Sequence, residues 1–129
     1  MAERRIKVLA PFGADITVIS PSVTEYITTS ASRGSIRLLD RKYQSGDISE
    51  MLPLLVIAAA DDRQVNREAM LEAASLDIQV SVADCREECS CYFPAITENE
   101  NYIAGLVSKT GDHAGCKLMA ERIRGLLNT

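Results

Sequence analysis

The chain has 129 residues, 47% of them hydrophobic, with a formal charge of -4 and only one histidine. That length suits one domain with a real core, and the acidic balance argues against the basic surface that tracks nucleic-acid phosphates. The longest nearly unbroken apolar run, Met51 to Ala60, falls well short of the roughly 18 residues of a membrane span, and no signal-peptide core follows the charged start. The sequence therefore reads as cytoplasmic, with neither a membrane nor a nucleic acid as partner.

In chain order, Ala2 to Ala10 predicts a short helix stopped by Pro11-Phe12-Gly13, and Asp15 to Ile19 has the β-branched density of a buried strand. Ser22-Val23-Thr24-Glu25 has the spacing of a capping box, opening a helix from about Val23 to Ser32 that Gly34 ends. Ile36 to Leu39 is a strand nearer the sheet edge, and Asp40 to Gly46 a polar connection. Leu54 to Ala59 is apolar on both faces, as central parallel strands are. Asp61 or Asp62 can cap the helix from Arg63 to Ser75, and Ile78 to Val82 returns as a strand.

Cys85 to Ser90 reads as a loop and Tyr92 to Ile96 as an extended segment. Asn99 to Asn101 is a turn, Tyr102 to Ser108 a strand, and about Ala114 to Leu127 the closing helix. Strands and helices alternating at this spacing mean an α/β fold with a parallel sheet. The ligand of such a sheet sits outside the carboxyl ends of its strands, where Asp61, Asp62 and Asp84 fall.

Cys85, Cys89 and Cys91 crowd into one loop, while Cys116 lies in the last helix. Their spacing matches no pattern of paired C-x-x-C zinc elements, so free thiols of a reducing compartment are expected and no metal site is assigned. A small cysteine metal module remains a minor alternative. His113, at the start of the last helix, reads as a solvent-facing residue.

Four stretches, taken in order and spacing, carry a resemblance. They are Ala2-Glu3-Arg4-Arg5; Gly13 to Pro21; Val56-Ile57-Ala58-Ala59-Ala60-Asp61-Asp62 with Val65-Asn66; and Val80-Ser81-Val82-Ala83-Asp84 running on to Phe93-Pro94-Ala95. As a set they resemble the amino-terminal domain of the precorrin-2 dehydrogenase and siroheme synthase family. The resemblance implies a Rossmann-like NAD-binding domain over residues 1–96, then a dimerisation strand and terminal helix over 97–129. It also implies oxidation of a tetrapyrrole, precorrin-2, to sirohydrochlorin with NAD as hydride acceptor, ferrochelation as an additional activity, and a homodimer. From another functional class comes the alternative of a non-catalytic tetrapyrrole- or protein-binding remnant that no longer binds NAD.

Carried over residue by residue, the resemblance makes Asp84 the catalytic carboxylate and places Met1, Pro21, Ser22, Ala59, Ala60 and Asp61 around the cofactor. Asn66 reads as a residue pinning loop to helix. The family's first strand and Gly-rich turn have no counterpart in these residues, because Met1-Ala2-Glu3-Arg4-Arg5 aligns just after the family's glycines. A misplaced start codon is the favoured explanation, over a genuine short paralogue that has lost dinucleotide binding. Without that strand, the strands of Ile16 to Ile19 and Leu54 to Ala59 are expected to pair directly, or less favourably to take a partner-chain segment into the slot, since buried amides left unpaired are too costly.

Overall fold

A computed structural model describes every residue from Met1 to Thr129, in two compact units, Met1–Cys91 and Tyr92–Thr129. The division expected after residue 96 falls inside a strand of the second unit.

The first unit begins with α1 (Ala2–Leu9), which tightens into a 3-10 turn over Ala10–Phe12. Gly13, at φ +74°, ends it in the left-handed region that favours glycine. β1 (Thr17–Ile19), α2 (Glu25–Ser32) and β2 (Arg37–Leu39) form a parallel crossover unit, with Val18 opposite Leu38 in the ladder. Ile6, Ile27 and Ile36 are its buried centre, with Val18, Tyr26 and Leu38 packed around them. Each such isoleucine contributes roughly 1.5–3 kcal/mol through burial.

The cap of α2 differs from expectation. Thr24, not Ser22, accepts the Ile27 N–H through Oγ1 at 3.4 Å, so the helix starts at Glu25 rather than Val23. Ser22 is instead held in a turn by Ser20, whose Oγ donates to the Ser22 carbonyl at 2.7 Å. At the other end Gly34, at φ +76°, closes the helix as expected, and the Ser35 N–H reaches back to the Ser30 carbonyl.

The next segment holds an element that the sequence did not suggest: α3 (Asp47–Met51), beyond the polar connection. Its apolar content is too short to give a period, and side chains elsewhere hold it in place. Glu72, far along the chain, accepts hydrogen bonds from Gly46 N, Ser49 N and Ser49 Oγ at 2.7–2.9 Å, and from the Tyr43 hydroxyl. Arg41 grips the buried Asp47 carboxylate with two nitrogens at 2.9 and 3.0 Å.

β3 (Leu55–Ala58), α4 (Arg63–Ser75) and β4 (Gln79–Val82) form the second parallel crossover unit, with Ala58 opposite Val82. α4 spans the residues read from its apolar period, and Asp62 is its cap, accepting the Gln64 N–H at 2.9 Å. Ile48, Ala58, Ala69, Ala73, Val80 and Val82 make a separate buried cluster. The alanines of α4 let the helix lie close on the strands.

The expected direct pairing of β1 with β3 is not found. β1 pairs only with β2 and β3 only with β4, in two separate parallel sheets. Each pair has its own helices and its own core, so joining β1 to β3 would require repacking both clusters to gain one short ladder. The α/β class with parallel crossovers is nonetheless the one expected.

In the second unit, β5 (Ala95–Glu98) and β6 (Ile103–Leu106) form an antiparallel hairpin against α5 (His113–Leu127). The Asn99 side chain makes the turn, accepting the N–H groups of Asn101 and Tyr102 at 2.9 and 2.7 Å. Gly105 lies under the Pro94 ring, where a Cβ would meet Pro94 at 3.3 Å. Thr97 and Ala120 are the buried residues between hairpin and helix.

Candidate functional site

The site residues expected from the sequence fall into two groups at strand ends. Past β1, the Ser20 turn carries Pro21 and Ser22, both exposed. Met1 stands at the start of α1, with no side chain capping the first-turn amides. Glu3 joins this start to the loop after β1: its carboxyl is held below the ordinary range by hydrogen bonds to Lys7 and then Thr24. Lys7 meets Glu3 at 2.7 Å and lies 4.6 Å from the Tyr26 ring centre. Glu3, two residues after Met1, thus meets Thr24, two residues after Ser22.

The second group follows from strand register. Ala58 is opposite Val82, and the Ala83 N–H extends the ladder to the Ala58 carbonyl at 2.9 Å. Ala59 and Ala60 therefore leave the sheet beside Asp84. Asn66, 1% exposed, holds that departure: Oδ1 accepts the Ala60 N–H at 2.8 Å and Nδ2 donates to the Ala60 carbonyl at 2.9 Å. Its reading as a pin between loop and helix is borne out. Asp61 is exposed at the tip, before the Asp62 cap. The two groups make no hydrogen bond with each other.

Asp84 is not a solitary carboxylate. Arg63, the first residue of α4, meets Asp84 Oδ1 through Nη1 at 2.6 Å and Glu88 through Nη2. Arg67, one turn on, donates to the other Glu88 oxygen at 3.1 Å. The sequence reading named Arg63 only as a helix start and did not name Glu88 or Arg67 at all. The signal was present: arginines four apart at the head of a crossover helix, facing the acidic turn that follows the next strand.

The cysteine loop covers the outer edge of β4. The Val82 N–H donates to the Cys89 thiol at 3.1 Å, the thiol donates to the Val82 carbonyl at 3.3 Å, and Ser90 Oγ accepts the Val80 N–H at 2.8 Å. These side chains satisfy an edge that would otherwise be open to pairing. All four cysteines are free thiols, and burial followed by the neighbouring Cys89 pushes the Cys91 thiol up. His113 is exposed as the first residue of α5, behind the Asp112 cap.

The donor set bears on a dinucleotide. Side chains end at Cβ at Ala59 and Ala60, so a flat ligand can approach the backbone there, and Asp61 is an exposed carboxylate beside them. The first-turn amides of α1 favour an anion, and Lys7 cancels the opposing charge of Glu3. The residues present fit the group at these two edges.

Residues 1–95 match the family model described as "Putative NAD(P)-binding". The chain belongs to this family. It is 46% identical over 125 residues to a multifunctional siroheme biosynthesis protein HemA of Ruminiclostridium josui, covering 96% of this chain and 24% of that protein. It is 34% identical over 129 residues to the siroheme synthase of Pseudomonas aeruginosa (strain LESB58), covering all of this chain and 26% of that one. The chain thus spans about a quarter of the length of these curated relatives. Among solved structures it is similar to SirC, a precorrin-2 dehydrogenase, with a TM-score of 0.72 and 23% identity, over 96% of this chain and 58% of that one. The resemblance to the precorrin-2 dehydrogenase and siroheme synthase family is borne out, and so is the Rossmann-like fold.

Proposed function

We propose that this chain is the NAD-binding portion of an enzyme that oxidises precorrin-2 to sirohydrochlorin in siroheme or cobalamin synthesis. The observation that carries the reading is the match along nearly the whole chain to a siroheme biosynthesis protein at 46% identity and to a siroheme synthase at 34%. When bound, NAD accepts the hydride. Met1, Pro21 and Ser22 hold one part of it, while Ala59, Ala60 and Asp61 hold another. Asp84, beside Ala59 and Ala60 at the strand end, takes the proton that leaves the tetrapyrrole; it is the catalytic residue of this reading. Ferrochelation would be a second activity of the same family of proteins. The setting is the cytoplasm; no helix of the chain is long and apolar enough to cross a membrane.

The reading includes a homodimer formed through residues 97–129. Tyr102, Ile103, Val107, Leu118 and Leu126 are exposed large apolar side chains there. A second copy gives them cover that a segment below roughly 40 residues cannot supply itself.

The test is NAD-dependent formation of sirohydrochlorin, followed by absorbance, with the chain alone and with the chain extended by the residues encoded in frame before Met1. Asp84→Asn should keep the circular dichroism spectrum and lower turnover by about 10² or more. Unchanged turnover would remove Asp84 from the mechanism. Absence of oxidation in both forms would favour the binding remnant.

A further inference from the structure

The ion-pair cluster at the head of α4 has two unequal ends. Glu88 is only 14% exposed and is gripped by both Arg63 and Arg67, one on each oxygen. Asp84 is 38% exposed and meets Arg63 through Oδ1. A guanidinium presents donors in a fork, so Nη2 can stay on Glu88 while Nη1 exchanges its partner. Arg63 is itself 44% exposed, at the strand end where Ala59 and Ala60 leave the sheet. Asp84 and Arg63 are both partly exposed, so their contact is the solvent-accessible limb of the cluster, the one an incoming anion can reach. Its exchange partner must be an anion that reaches the strand end, which a carboxylate side group of a tetrapyrrole satisfies.

We propose that Arg63 is a positioning latch: it holds Asp84 in the free protein and passes to a carboxylate of the incoming tetrapyrrole, leaving Asp84 to face the reacting carbon. The inference rests on the tetrapyrrole reading above. Glu88 and Arg67 keep the guanidinium anchored throughout, so the exchange moves one contact and not the whole side chain. No covalent step is involved.

The test is binding of uroporphyrin, a porphyrin with eight carboxylates, measured by fluorescence titration at fixed ionic strength. Arg63→Gln should weaken binding about tenfold, and Arg63→Lys about threefold, because an ammonium keeps the charge but not the fork. Asp84→Asn is the decisive variant, since it removes the internal competitor and should tighten binding about threefold. In the Arg63→Gln background the same change should have no effect, whereas general repulsion of an acidic ligand would persist there.

Asp84→Asn binding no better than the parent, or tightening equally in both backgrounds, overturns the latch. Binding unaffected by Arg63→Gln overturns it too, while leaving the tetrapyrrole reading in place. No uroporphyrin binding by the parent chain overturns both. Asp84 is exposed and outside the core, so its variant reports even if Arg63→Gln fails to fold.

Discussion

At the scale of single residues, the most consequential side chain for stability is one with no part in the proposed chemistry. Glu72 is half-buried, which works against its charge, yet hydrogen bonds from Tyr43, Gly46 and Ser49 outweigh burial and bring its carboxyl down from 4.5 to about 2. Burial, and then the same contact, push the Tyr43 hydroxyl up. A depressed carboxyl contributes stability above its unfolded value and loses it as pH falls toward the folded one. The melting temperature should therefore fall as pH drops from about 4.5 toward 2, and Glu72→Gln should flatten that part of the profile. Glu72→Ala should cost about 2 kcal/mol in urea unfolding at neutral pH, by leaving donors at the start of α3 unpaired. None of this was legible in the sequence: Glu72 sits on an otherwise ordinary helix, and its partners lie more than twenty residues away. Asn66 was legible, because a polar residue one turn inside a helix that follows a strand end has the loop backbone as its natural partner.

Elements were legible where a period or a cap marked them, and their ends were legible less often. α4 could be read to its terminal residues because apolar spacing, an aspartate cap and thirteen residues all agree. The start of α2 was misplaced by two residues, since Ser22 and Thr24 both have capping hydroxyls and only the fold of the Ser20 turn decides between them. Thr24→Ala should lower stability by about 1 kcal/mol and Ser22→Ala by no more than a few tenths, measured by chemical unfolding. The end of α4 has a different signature: Asp77 takes φ +56° where the Ile78 N–H reaches back to the Ala73 carbonyl, a position that ordinarily holds glycine. Asp77→Gly should stabilise the chain by about 0.5–1 kcal/mol. A loss of stability would mean that the Asp77 side chain has a compensating partner.

On the scale of the whole molecule, the strands do not form one continuous sheet. Two parallel pairs and one hairpin each keep their own ladder. If the second unit pairs with a second copy as proposed, Leu126→Glu, at a side chain 74% exposed, should convert a species of twice the chain mass into one of the chain mass in sedimentation equilibrium. It should do so without changing helix content, because Leu126 is exposed and outside the core. A single-mass species in both proteins would end the dimer proposal.

The sequence by itself determined the alternation of strands and helices, through local apolar period, and the family, through stretches whose residues and order resemble its members. Neither needs a distant partner. The tertiary structure alone decided that β1 and β3 remain apart, that Glu72 fastens α3, and that Arg63 binds Asp84 and Glu88. Each of these joins side chains or backbone distant in sequence, and its energy depends on which groups folding brings within hydrogen-bond reach.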